Sequence, residues 1–96
     1  MQLYIFARFH AQAGKEDEVE SALTDVLEPS RAEAGCISIN IFHSIQDSRL
    51  FYLHSQWSDR DAFEAHVALP HTIRFVERVQ PLIDHPMEVA RTELAG

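Results

Sequence analysis

Residues 54 to 71, HSQWSDRDAFEAHVALPH, place His54, His66, His71 and the chain's only tryptophan, Trp57, within eighteen positions. An imidazole titrates near pH ~6.5 and can take or release a proton at neutral pH, which as general-base help contributes ~10²–10⁴ in rate. Two histidines could instead hold a metal. His66 and His71, however, are five residues apart across Pro70. They cannot sit at i, i+4 on one continuous helix, and no acidic residue stands at a partner spacing, so no metal site is expected. Trp57 and Phe63 could wall a pocket for a flat ligand or pack in the core. Cys36 is the sole cysteine, which excludes an internal disulfide and a cysteine-based metal site, and no base stands near it to activate the thiol.

Whether these side chains meet depends on the elements that carry them. Residues 2–11, QLYIFARFHA, are aromatic and branched enough for a strand. Gly14 breaks it, and KEDEVESALTDVLEPSRAEAG reads as a helix whose Val19, Ala22, Leu23, Val26 and Ser30 follow the helical repeat. Glu16, Asp17, Glu18 and Glu20 crowd its first turns, where the helix dipole favours anions. Pro29 is expected to kink or interrupt it, and Gly35 to close it at C′. CISINIFHSIQDSRLFYLHSQW reads as two strands around a Gln46-Asp47-Ser48 turn. Ser58-Asp59-Arg60-Asp61 resembles a capping box opening a helix to about Ala68. Pro70 starts another to about Gln80, and a last strand follows Pro86. The order is β-α-β-β-α-β, an α+β ferredoxin-like domain over residues 1–96 with a four-stranded antiparallel sheet.

Side-chain alternation sorts the candidates onto faces. Ile37, Ile39 and Ile41 share one face of their strand, while Cys36, Ser38, Asn40 and Phe42 take the other. Phe51, Leu53, Ser55 and Trp57 oppose Leu50, Tyr52, His54 and Gln56. A three-residue turn pairs Ile41 with Leu53, Ile39 with Ser55, Asn40 with His54 and Phe42 with Tyr52. His54 and Trp57 therefore point to opposite faces unless a bulge intervenes. The second face still carries Tyr4, Phe6, Phe42, Leu50 and Tyr52, too much apolar surface for solvent. Two helices cover only one face, so the other is expected to pack on a second copy in a homodimer. Arg8 lies on that second face by the same alternation. Asn40 and His54 form a polar pair there, most simply an interface contact.

The net charge of −7, with eight basic residues scattered singly, disfavours nucleic acid and anionic membrane surfaces. No apolar run approaches the ~20 residues of a membrane span, and the N-terminus lacks the basic and apolar regions of a signal peptide. With its single cysteine, the chain is expected to be cytoplasmic.

Gly35-Cys36, the hairpin, Trp57, DAFEAH and LPH together resemble the antibiotic biosynthesis monooxygenase (ABM) domain family, whose pattern is roughly E-x-G-C, a hairpin ending E-x-W, then A-F-x-x-H and S-P-H. The resemblance covers nearly the whole chain. It implies a dimeric α/β barrel with a ligand cavity in each protomer between sheet and helices. Members include cofactor-free monooxygenases of aromatic polyketides and quinols, isomerases of small phosphorylated signals, and haem-degrading proteins. Ser55 stands where a Glu is usual and Leu69 where a Ser is usual. Ala7 replaces an Asn of the haem-degrading branch, and Val76 falls near its haem-ligating His, which disfavours haem degradation.

A cofactor-free oxygenase uses its substrate as the electron source. Deprotonating an electron-rich phenol or hydroquinone gives an anion able to reduce O₂, so the protein supplies only a base, anion stabilisation and a dry pocket. The resemblance implies His66 or His71 as that base, since both match family histidines. Trp57, Phe63, Ser55 and Leu53 are the substrate-contact candidates. The expectation is a homodimeric enzyme oxidising a small aromatic or quinol-like molecule with O₂ and no prosthetic group. The alternatives are a proton-transfer isomerase on a carbonyl substrate, and a non-catalytic dimer that binds a small hydrophobic ligand.

Overall fold

The computed structural model describes residues 1–96. The strands are β1 (Leu3–His10), β2 (Cys36–His43), β3 (Leu50–Trp57) and β4 (Glu88–Thr92), and the helices are α1 (Glu16–Arg31), α2 (Arg60–Ala68) and α3 (Pro70–Val79). The sheet order is β2-β3-β1-β4 with every pair antiparallel. This is the expected α+β ferredoxin-like arrangement, and all four anticipated β2–β3 pairs are present. No helix is long and apolar enough to cross a membrane.

The helices lie on the sheet face that carries Ile5, Ala7, Phe9, Phe51 and Trp57, all buried. From α1, the five residues on the helical repeat, Val19, Ala22, Leu23, Val26 and Ser30, are the ones buried. α3 contributes Phe75 and Val79 to the same core. Full burial of each such Val, Leu or Phe side chain is worth about 1.5–3 kcal/mol against the chain entropy that folding must overcome.

Three local expectations are corrected. α1 runs through Pro29 without interruption and ends two residues later at Arg31, so the proline sits in the last turn, where little helix remains to disrupt. Gly35 does not close α1, whose C-cap is Ala32. Its φ is not positive; the need there is for space, since a Cβ would lie 3.2 Å from Ser58 Oγ and closer still to Ala62 Cβ. Third, a β-bulge between Cys36 and Ser38 pairs Cys36 with Trp57. Cys36 thereby joins the Ile5–Trp57–Phe63 cluster, while Ile37 leaves the face of Ile39 and is 48% exposed. A single extra residue reverses the parity of everything before it.

β3 itself has no bulge between His54 and Trp57. His54 accordingly lies on the open face against Phe6, ring centroids 4.7 Å apart, opposite Asn40. Phe6, Phe42 and Tyr52 stand exposed on that same face.

Candidate active site

His66 is placed by α2, whose start is fixed by Asp59 accepting the Ala62 N–H at 2.8 Å. Its ring is nearly buried and stacks at a tilt on Trp57, centroids 4.4 Å apart, with Phe63 at 5.9 Å. Trp57 is held in turn by its indole N–H, which donates to Ser55 Oγ at 2.9 Å. Two flat neighbours leave the imidazole little rotational freedom.

The residue that organises the site is Glu33, in the turn after α1. Its Oε2 accepts from His66 Nδ1 and from His71 Nε2, each at 2.8 Å. The carboxylate side chain is only 13% exposed, so both bonds form in a partly dehydrated setting where charge-assisted hydrogen bonds are strong. Pro70 makes this convergence possible: α2 stops at Ala68, Leu69 is extended, and α3 restarts at a new angle that returns His71 toward His66. The Glu33 bond holds the proton on Nδ1 of neutral His66, leaving Nε2 as the free acceptor. The geometry is therefore that of an imidazole oriented by a carboxylate.

Sequence spacing gives these histidines no acidic partner, whereas the fold brings Glu33 to both. Glu33, His66 and His71 bring three ligand atoms within 4.8 Å of one another, a donor set that suits a divalent transition metal. Both imidazole nitrogens now sit at hydrogen-bond distance from a single carboxylate oxygen, so an ion bound at ~2.0–2.2 Å from each would have to spread them apart. His10, Asp84 and His85 form a second such group at the far end of β1.

A cavity of about 270 Å³ opens between the sheet and the helices. Its floor includes Ile5, Ala7, Leu53 and Ser55; its roof includes Ser30, Phe63, His66, Thr72 and Phe75. Arg91 and the half-exposed Val89 line it from β4. Twelve of its seventeen lining residues are hydrophobic, which makes it suited to an apolar, ring-shaped ligand. Of the anticipated site residues, His66, Phe63, Ser55 and Leu53 line this cavity. Trp57 lies behind them, and His71 faces an outer groove beside Arg74 while reaching Glu33. Asn40 and His54 are on the opposite face of the sheet, as is Arg8, which pairs across to Tyr52 and Glu88. Burial, reinforced by the Glu33 charge and opposed by Arg31, pushes the Cys36 thiol above its ordinary range, which disfavours a reactive thiolate. No sequence spacing links Glu33 to either histidine, and the one signal for it is its place at the head of the E-x-G-C stretch Glu33-Ala34-Gly35-Cys36.

The family model described as antibiotic biosynthesis monooxygenase matches residues 2–78. YcnE of Bacillus subtilis (strain 168), named as a candidate monooxygenase, is 30% identical over 81 residues, covering 84% of this chain and 85% of YcnE. The uncharacterised protein sll1783 of Synechocystis is also 30% identical over 81 residues, but the chain spans only 55% of its length. Among solved structures, PA3566 from Pseudomonas aeruginosa superposes with a TM-score of 0.89 at 33% identity, over 98% of this chain and 95% of that one. Rv0793 from Mycobacterium tuberculosis superposes with a TM-score of 0.94 over 100% of this chain and 97% of that one; at 23% identity this is a likeness of fold.

Proposed function

The chain belongs to the antibiotic biosynthesis monooxygenase family, and from that premise we propose that residues 1–96 form one catalytic domain that oxidises a small phenolic or quinol-like aromatic with O₂. The observation that carries this reading is the Glu33–His66 pair at the wall of an apolar cavity. A ligand hydroxyl beside His66 Nε2 would lose its proton to that nitrogen, and the imidazolium formed would be stabilised by Glu33 through Nδ1. The ring anion can then give electrons to O₂. A phenol with a free ring C–H takes one oxygen atom as a new carbonyl and loses two hydrogens as water with the other, so quinone plus water balances without an outside reductant. Phe63, Leu53 and Phe75 keep bulk water from that anion.

In this reading His66 is the base, and His71 with Glu33 are positioning residues. The second face of the sheet supports a homodimer: Phe6, Phe42 and Tyr52 are 49%, 54% and 38% exposed, and Phe42 and Tyr52 are direct cross-strand partners. A second copy offers the same patch across a two-fold axis and would cover it, with Asn40 and His54 as polar contacts. A cytoplasmic location is part of the same proposal.

Oxygen uptake with a panel of phenols and hydroquinones, measured on metal-stripped protein, tests the reading. Uptake that falls by ~10²–10⁴ in His66→Ala, with product formed one-to-one with O₂, is the expected result. Turnover that persists under argon would replace it with proton-transfer isomerisation. Tight binding with no turnover would leave a carrier of small aromatics.

A further inference from the structure

Ser30 is fully buried on α1, lines the cavity, and its Oγ has no hydrogen-bond partner in the protein. It is the one buried side-chain oxygen or nitrogen left in that state. A helical hydroxyl can satisfy itself on the carbonyl four residues back, as Thr24 does to Glu20 O at 2.8 Å. Ser30 does not, although apolar Ala, Val or Leu would fill a helix position that lines the cavity with Ile39 and Phe75 at no polar cost. An unpaired buried hydroxyl is unfavourable in the empty protein, and a partner arriving with a ligand would relieve it.

The approach to the cavity constrains the ligand's charge. Arg91 lines both the cavity and an adjoining surface groove, where Asp59, Asp61, Glu64 and Glu93 stand against Arg60 and Arg91. Glu64 is ion-paired to Arg91, and the Arg91 guanidinium carbon lies 5.0 Å over the centre of the Phe63 ring. Arg91, the one arginine of the cavity lining, is thus already paired and stacked, and the four carboxylates of the groove outnumber its two arginines. An anionic ligand is disfavoured there.

We propose that the Ser30 hydroxyl is a ligand-recognition group, donating a hydrogen bond to a hydroxyl or carbonyl oxygen of an uncharged aromatic whose other oxygen meets His66. Of the five polar residues in the lining, Ser55 is bonded to Trp57, Thr72 lies against His66 Nδ1 and Arg91 is paired with Glu64, which leaves an acceptor on His66 and a donor at Ser30 Oγ for a ligand. A ring with two oxygen functions fits both. This inference rests on the cavity being the substrate site.

The test uses three ring compounds of nearly one shape, hydroquinone, p-cresol and p-xylene, which carry two, one and no hydroxyls. They are titrated under argon into the full chain, following the single Trp57 indole N–H resonance. Ser30→Ala is expected to weaken hydroquinone about three- to tenfold and to leave p-xylene within about twofold, the size of one lost neutral hydrogen bond. The effect on p-cresol should be smaller, because its single hydroxyl can turn to His66. Ser30→Cys, similar in shape but a weak donor, should repeat the pattern and serves if the alanine variant misfolds. Equal losses for hydroquinone and p-xylene, or no loss for either, overturn the proposal. None of these readings needs turnover. If the Ser30 contrast is absent while oxygen uptake still requires His66, only the Ser30 subsite is withdrawn. If the contrast holds while His66→Ala leaves uptake unchanged, the subsite stands and the base assignment falls.

Discussion

Gly35→Ala tests how the fold brings Glu33 to His66. Gly35 sits two residues after Glu33, and its carbonyl accepts the Ser58 N–H at 2.9 Å, docking the turn against the start of α2. A Cβ there would lie nearer to Ala62 Cβ than the 3.0 Å that real Cβ atoms keep, and 3.2 Å from Ser58 Oγ. The Ala62 methyl cannot rotate away, so the turn or α2 must shift by on the order of 1 Å to restore van der Waals contact. Overpacking of this kind costs about 1–3 kcal/mol. His66 is one turn along from Ala62 and moves with it. The 2.8 Å bond to Glu33, stretched by that amount, ceases to be a hydrogen bond. A misplacement of that size at a reacting group can cost ~10² in rate.

Urea unfolding followed by Trp57 emission measures the first effect and oxygen uptake the second. The rescue variant is Ala62→Gly, which removes the obstructing methyl at a helix-propensity cost of about 1 kcal/mol. The double variant should be more stable than the sum of the two singles implies, by at least ~1 kcal/mol of coupling, and should regain activity. A Gly35→Ala protein as stable as the parent, or strictly additive singles, refutes the close-packing account of Gly35.

Four further outcomes follow from the same geometry. Glu33→Gln should lower kcat by ~10²–10⁴ with little change in KM, because Glu33 orients His66 without lining the cavity; an unchanged kcat in steady-state assays would remove its role. Ser30→Ala, which deletes an unpaired buried hydroxyl, should raise unfolding stability by about 1 kcal/mol in urea titrations; a loss would mean the hydroxyl has a protein partner. His10 donates to Asp84 at 2.6 Å and to Asp47 at 2.9 Å; the Asp84 bond first and the Asp47 bond next raise its pKa above the ordinary 6.5. Asp84 and Asp47 are held below the usual 3.8, Asp84 chiefly by His10 and then His85, and Asp47 chiefly by the Arg49 backbone N–H and then His10. The His10 contribution is complete below its unfolded pKa and is lost as pH rises through its raised one. The aspartate contributions are present above the unfolded carboxylate pKa and are lost as pH falls through the lowered ones. The stability gap between parent and His10→Gln should therefore be widest near pH ~5–6 and narrow on both sides, as thermal melts across pH would show. Finally, the homodimer proposed above should be lost in Phe6→Asp and kept in Val67→Asp on α2, as light scattering would show; an unchanged particle mass in Phe6→Asp would refute that interface.

Much of the fold was legible because it depends on short-range pattern. Alternation in β2 and β3, with the length of the turn between them, was enough to predict the pairing of Ile39 with Ser55 and Asn40 with His54. It also split His54 from Trp57. The failures were local. The Cys36–Ser38 bulge leaves no mark in residue type, since Ile37 is as apolar as its neighbours yet points out. Gly35 reads as a helix stop in sequence, and only the approach of Ala62 reveals that the missing side chain is needed for α2 to dock.

The site was legible in its parts and hidden in its logic. His66 and His71 stand out by their resemblance to the family pattern, but their spacing across Pro70 argues against cooperation on one helix. The two histidines share no helix and still meet. The break at Leu69 is what lets two imidazoles from successive helices approach one carboxylate from different directions. Such a meeting requires Glu33, more than thirty residues earlier, and no periodicity links it to either histidine. What binds the three is packing: Gly35 lets the turn close on α2, Trp57 backs the His66 ring, and the end of α1 with the turn that follows it carries Ser30 and Glu33 to the site. The Glu33 N–H donates to the Ser30 carbonyl at 3.1 Å, so the carboxylate bonded to the proposed base and the hydroxyl proposed to meet the ligand are fixed by one turn of chain. A change that unwinds this turn should therefore weaken ligand recognition and proton transfer together, raising KM and lowering kcat, while Ser30→Ala should raise KM with little effect on kcat in steady-state assays.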